Sequence, residues 1–114
     1  MNLNELRDKA HATAKSKGWH AYDGKPSTVQ IVAWMALIHS EVSEATEDVR
    51  RGAMTPDWIM RDGSKPCGLP SELADVIIRT LDVCGALGID IDEAVRLKMA
   101  YNETRPNRHG GKLA

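Results

Sequence analysis

Neither sign of charge is in excess in this 114-residue sequence: fifteen Lys and Arg stand against sixteen Asp and Glu, a formal net charge of −1. Polynucleotide binding draws its affinity from surplus cations that displace counterions along a phosphate backbone, so a polynucleotide is not an expected partner. Long apolar runs are also missing. The longest, Val29 to Ile38, is broken by Gln30 and is about half the length needed to cross a bilayer, so no membrane partner is expected. The opening MNLNELRDKA has no charged stretch leading into an apolar block. It does not read as a secretory signal, and the expected compartment is the cytoplasm. Cysteine is scarce: Cys67 and Cys84 have neither Cys-x-x-Cys nor Cys/His metal spacing, and in a reducing compartment both are expected as free thiols. Repeats, low-complexity tracts and poly-charge tails are absent.

What is present is an ordinary globular balance, 42% hydrophobic and 27% charged residues, in a length that suits one domain over residues 1–114. Val, Ile and Thr recur at helical spacings and never alternate with polar residues over the length of a strand, so the expected fold class is all-α. Four helices are predicted. The first opens at Asn2, three residues before Glu5, keeps Leu3, Leu6, Ala10 and Ala14 on one face and stops at Gly18. A second, the longest, opens at Ser27 with Gln30 in capping-box spacing and runs to Arg51 before Gly52. The third follows Pro70 and reaches Leu87, with Gly88 as its stop; the fourth opens with Asp90 and Glu93 and ends before Pro106. Between the second and third lies an irregular insert, 52–70, punctuated by Pro and Gly, with at most one short turn after Thr55-Pro56. Trp58, Ile59 and Met60 are its apolar anchor or a pocket wall. The tail 105–114 is basic and Gly-containing, without a core pattern.

Carboxylates occupy unusual places on the second and third helices. At about 100° per residue, Ile31, Met35, Ile38, Val42, Ala45 and Val49 form one apolar stripe, and Glu41, Glu44 and Asp48 fall along its edge. On the third helix, Leu73, Ala74, Val76, Ile77, Ile78, Leu81 and Cys84 cover most of the circumference and leave Glu72, Asp75, Arg79 and Asp82 as a narrow polar strip. If the helices pack side by side, Glu41, Glu44, Glu72 and Asp75 converge. Four carboxylates in a partly dry space repel one another unless cations sit between them, and an all-oxygen donor set suits Mg²⁺, with Mn²⁺ as a possible substitute, over zinc. Asp48 and Asp82 lack such pairing and read as solvated or structural.

On the fourth helix, Lys98 and Asn102 continue the side that carries Ile91 and Val95, where a lysine needs an anion partner; Arg105 extends the same positive edge. Other chemistries fail on spacing. No Glu has a His three residues on, as a di-iron bundle requires, and Asp90-Ile91-Asp92 lacks the rest of a calcium loop. His39 points away from the carboxylate edge, and Gly110-Gly111-Lys112 has no strand before it or helix after it to make a P-loop.

The segments LIHSEVSEATEDVR, ELADVIIRTLDVCGALGIDIDEAV and KMAYNETRPNRHGGK, in that order, resemble the MazG-like, all-α nucleoside triphosphate pyrophosphohydrolases. That family's Glu-x-x-Glu and Glu-x-x-Asp signature is matched by Glu41/Glu44 and Glu72/Asp75, and its downstream Lys-x-x-x-Asn by Lys98 and Asn102. Many members carry a further Glu directly before the first pair, where this chain has Ser40. The resemblance implies Mg²⁺-dependent cleavage of a nucleoside triphosphate between the α and β phosphates, giving the monophosphate and pyrophosphate. It places Glu41, Glu44, Glu72 and Asp75 on the metal, with Glu41 also the candidate to position the attacking water. Lys98, Asn102 and Arg105 fall on the substrate, and Trp19, in a Lys17-Gly18-Trp19 segment similar to those of this group, either stacks a base or closes a helix end. A phosphoribosyl-ATP pyrophosphohydrolase and a catalytically idle helical oligomerisation module are the competing readings. Because Val32, Ala33, Ala36 and Leu37 face directions the main stripe does not cover, and because the resembled family forms dimers and tetramers, a homodimer or larger even assembly through the second helix is expected.

Overall fold

A computed structural model describes residues 1–54 and 65–114. Trp58, Ile59, Met60 and the turn expected after Thr55-Pro56 lie outside the described residues. The fold is all-helical, built from α1 (Leu3–Ser16), α2 (Thr28–Arg50), α3 (Leu69–Leu87) and α4 (Ile91–Thr104), followed by a four-residue helical turn at Arg108–Gly111. Each start follows a local signal. Asn2 accepts from the Glu5 amide at 2.7 Å, Ser27 and Gln30 close a reciprocal capping box, and Asp90 accepts from the Glu93 amide at 3.1 Å. Pro70 sits in the first turn of α3, which ends on Gly88 in the left-handed region at φ 66°. No helix among the described residues is long and apolar enough to cross a membrane, and Cys84 is a buried free thiol.

The centre of the chain is α3, with α1 and α2 packed against it and α4 leaning on α1. The α1–α4 junction is mostly polar. Asp92, in the first turn of α4, accepts from the Leu3 and Asn4 amides at 3.0 and 3.1 Å, satisfying free donors at the start of α1. In return, Asn4 accepts from the Ile91 amide at 3.0 Å and donates to Asp90 at 2.9 Å, while Arg7 donates to the Ile89 carbonyl at 2.7 Å. Two helix starts therefore cap each other.

The stripes do not face where the periodicity alone places them. Of the six residues expected on the buried face of α2, only Ala45 is buried, whereas Met35, Val42 and Val49 are exposed; the buried positions are Glu41, Ala45 and Asp48. The seam is rotated onto the acid edge. On α3, Leu73 and Ile77 are about half exposed, while Glu72, Asp75, Arg79 and Asp82 turn inward to half-buried positions. Fully buried hydrophobic residues among those described are Ala45, Leu81, Val83 and Cys84, so the chain by itself leaves much of its apolar surface uncovered.

The α1–α3 contact is close enough to need a glycine. A Cβ built on Gly85 would stand 2.6 Å from the Cβ of His11. Alanine is favoured over glycine inside a helix by about 1 kcal/mol, but forcing a methyl into a filled contact costs about 1–3 kcal/mol. We expect Gly85→Ala to lower the urea midpoint of unfolding; an unchanged or higher midpoint would show that α1 and α3 can separate freely at this point.

Candidate active site

The inward rotation of the acid edges brings Glu41 from α2 together with Glu72 and Asp75 from α3, one carboxylate oxygen of each lying within 4.8 Å of the others. Glu41 is 7% exposed, and Arg79, one turn beyond Asp75, donates from Nε to its Oε1 at 2.6 Å. This pair offsets one negative charge and fixes the Glu41 carboxylate. The second oxygen, Oε2, is buried without a hydrogen-bond partner among the described residues, and so is Oε2 of Glu72. Buried oxygens of this kind normally find a donor or a cation.

The electrostatics agree with the crowding. The Glu72 carboxyl is pushed up to about 7, first by burial, then by its hydrogen bond with Glu44 and by the charges of Glu44, Asp75 and Asp48. Burial and the Glu41 charge raise Asp75 as well, while Arg79 and Lys65 pull it back. Glu44 itself is exposed and joins the group at its rim, through Glu72. Asp48, expected to be solvated or structural, is enclosed at 1% exposure, with Oδ1 accepting from Arg51 at 3.0 Å. Its place follows from the rotated seam, one turn beyond Ala45. Ser40 is exposed and donates to the Leu37 carbonyl at 2.6 Å, outside the cluster. An all-oxygen donor set with two unpartnered buried oxygens fits a hard divalent cation, which Glu41, Glu72 and Asp75 could hold with Glu44 beside them.

A cavity of about 550 Å³ opens beside these acids, with Glu41, Asp75 and Arg79 in its wall next to Trp19, Trp34 and Leu37. Such a volume, apolar with a few charged groups, suits a small organic ligand. Trp19 is 65% exposed at this cavity, while Trp34 is half-buried and packs edge-on to His20 at 5.3 Å. Lys98, Asn102 and Arg105 are not brought to the acids within one chain. They lie on α4 and its end, which packs against α1; Lys98 and Asn102 are exposed, and the Lys98 and Arg105 cations sit 5.1 and 5.6 Å from the Tyr101 ring centre. Lys98 therefore does not point inward.

Sequence reasoning missed Trp34 as a cavity wall and the gathering of His11 and His20 onto Asp82. Trp34 was hidden in an apolar run, and the histidines stand 71 and 62 residues from Asp82, beyond any spacing rule.

No family model and no solved structure matches the chain. A stretch of 36 residues is 50% identical to a dATP/dGTP diphosphohydrolase of Cyanophage S-2L, covering 32% of this chain and 34% of that protein. The match thus spans about a third of that relative's length.

The raised Glu72 carboxyl predicts a pH dependence. A folded acid that titrates near 7 in place of 4.5 holds its proton longer than the unfolded chain does, so its stabilisation is full below 4.5 and is lost as pH rises through about 7. In chelator, Glu72→Gln should therefore raise the melting temperature over the unsubstituted protein by more at about pH 8 than at about pH 5. An equal difference at both would show that Glu72 is not held among repelling charges.

Proposed function

We propose that the chain is a MazG-like nucleoside triphosphate pyrophosphohydrolase, cleaving between the α and β phosphates to give a monophosphate and pyrophosphate. The observation that carries this reading is the convergence of Glu41, Glu72 and Asp75, with buried oxygens unpartnered among the described residues, beside a cavity that Glu41 and Asp75 line together with tryptophan. The partial likeness to a dATP/dGTP diphosphohydrolase supports a triphosphate substrate and makes purine deoxynucleoside triphosphates the first to test.

Mg²⁺, with Mn²⁺ as a substitute, is the proposed cofactor, held by Glu41, Glu44, Glu72 and Asp75; it would supply neutralisation of phosphate charge and a more acidic water. The chain's own residues do the positioning. Because Arg79 occupies Oε1 of Glu41, Oε2 is the oxygen left to face the proposed cation, and Glu41 is the candidate to position the attacking water beside it. Trp19 and Trp34 offer flat apolar surface to a base. Orthophosphate is not an expected product: attack at the α phosphorus makes pyrophosphate the leaving group.

The proposed active form is a homodimer or a tetramer built from dimers. Val29 and Val32 on α2 and Ile77 on α3 are 78, 62 and 56% exposed, an uncovered apolar surface of the kind that a twofold contact closes. Lys98, Asn102 and Arg105, remote from the acids in their own chain, would reach substrate phosphates in the neighbouring copy's site.

Three outcomes follow. Incubation with each dNTP and Mg²⁺ should yield monophosphate and pyrophosphate by chromatography; release of diphosphate nucleotide and orthophosphate would overturn the assignment. Asp75→Asn should lower turnover by on the order of a hundredfold or more while raising the melting temperature of the metal-free protein, and unchanged turnover at low Mg²⁺ would remove Asp75 from the site. In light scattering at micromolar concentration the protein should run as a dimer or tetramer; an active monomer near 12.5 kDa would refute the assembly.

A further inference from the structure

A second set of donors, unused by hydrolysis, gathers on the other side of Arg79 along α3. His11 from α1, His20 from the connection between α1 and α2, and Asp82 from α3 meet at one point. His11 Nδ1 and His20 Nε2 each lie 2.8 Å from the same oxygen, Oδ1 of Asp82, and His20 Nε2 lies 3.0 Å from Oδ2. One donor atom from each residue falls within 4.8 Å of the other two. Three segments distant in sequence deliver these atoms, so tertiary packing, not local spacing, sets their positions.

Four features go beyond a surface ion pair. The His20 side chain is 3% exposed. Its far nitrogen, Nδ1, lies 3.2 Å from the Tyr22 hydroxyl, the kind of outer partner that fixes the tautomer and orientation of a ligating imidazole. His11 reaches Asp82 because Gly85, one turn further along α3, has no Cβ to block it. His20 and Asp82 both line the cavity, which gives an entry path. We propose that His11, His20 and Asp82 form a binding site for one divalent transition-metal ion of the zinc class, separate from the oxygen-only acid cluster.

The donor chemistry sets the preference. Two imidazoles and a carboxylate favour zinc-class ions over Mg²⁺ and leave a fourth position for water. Donors about 2.0–2.1 Å from such an ion at tetrahedral angles stand about 3.3–3.4 Å from one another, so the direct His–Asp82 contacts of 2.8 and 3.0 Å would open by about half an ångström to admit it. The ion would tie α1, the α1–α2 connection and α3 into one wall, and with them Trp34 through its edge contact with His20.

The test uses the whole 114-residue protein, stripped with chelator and titrated with Zn²⁺ by calorimetry in excess Mg²⁺, with an X-ray absorption spectrum at the zinc edge. The expected result is one Zn²⁺ per chain, not displaced by Mg²⁺, with imidazole scattering in the spectrum. His11→Gln and His20→Gln should each weaken binding by about a hundredfold or more, and Tyr22→Phe by about tenfold. Glu72→Gln should leave it unchanged, with circular dichroism verifying that each variant folds. The proposal is overturned if no Zn²⁺ binds, if Mg²⁺ or Glu72→Gln removes it, or if both histidine variants keep full affinity. Should the histidine variants not fold, the spectrum of the unsubstituted protein decides alone: absence of imidazole scattering overturns the site.

Discussion

Carboxylates that face one another across a helix pair repel, and the arrangement of α2 and α3 is organised around that repulsion. Helices ordinarily turn their apolar stripes toward each other. Here Glu41 and Asp48 occupy the seam with Ala45, and Glu72 and Asp75 approach from the opposite helix. Only partial relief is built in. Arg79 offsets Glu41 at 2.6 Å, and Glu72, pushed up to about 7 first by burial and then by Glu44 and its other acidic neighbours, avoids carrying a further charge. Leu81, Val83 and Cys84 are buried toward the far end of α3, the helix on which both α1 and α2 pack. The apolar burial of α3 thus lies beyond its acids, and crowded acids of this kind cost stability.

The same orientation explains the outer surface. A helix that turns its acids inward must turn much of its apolar circumference outward, and Leu73, Ile77, Val29 and Val32 are exposed as a direct result. The acid cluster and the bare hydrophobic face are two sides of one rotation about the helix axes.

The sequence made the helices legible because their boundaries are local chemistry. Asn2, Ser27 and Asp90 cap as their spacing to Glu5, Gln30 and Glu93 implies, and Pro70 and Gly88 bracket α3. Of the four acids expected to converge, Glu41, Glu72 and Asp75 meet, since the narrow polar strip of α3 faces α2, while Glu44 stays exposed at the rim. The direction each stripe faces was not legible. Periodicity defines an apolar arc without saying whether it meets a neighbour in the same chain, so Met35 and Val42, good core residues by pattern, are exposed while Glu41 is buried. The position of Lys98 was misjudged for the same reason, because α4 docks through its capped start and not through the face that carries Lys98. The histidines escaped because their shared partner, Asp82, is a tertiary neighbour.

The mutual capping of α1 and α4 also bears on how the chain opens. Hydrogen bonds from Leu3 and Asn4 to Asp92 and from Arg7 to Ile89 concentrate at and just before the start of α4, and from Leu97 to Thr104 that helix is exposed. An element anchored at one end by polar contacts, with few buried apolar groups along its length, detaches in small local excursions long before the whole domain unfolds. Amide protons of the last two turns of α4 would then exchange with solvent on a much shorter timescale than those of α3 around Leu81 and Val83. Among the four described helices, the segment that bears Lys98, Asn102 and Arg105 is thus freer to reorient at little energetic cost than α3, on which α1 and α2 pack.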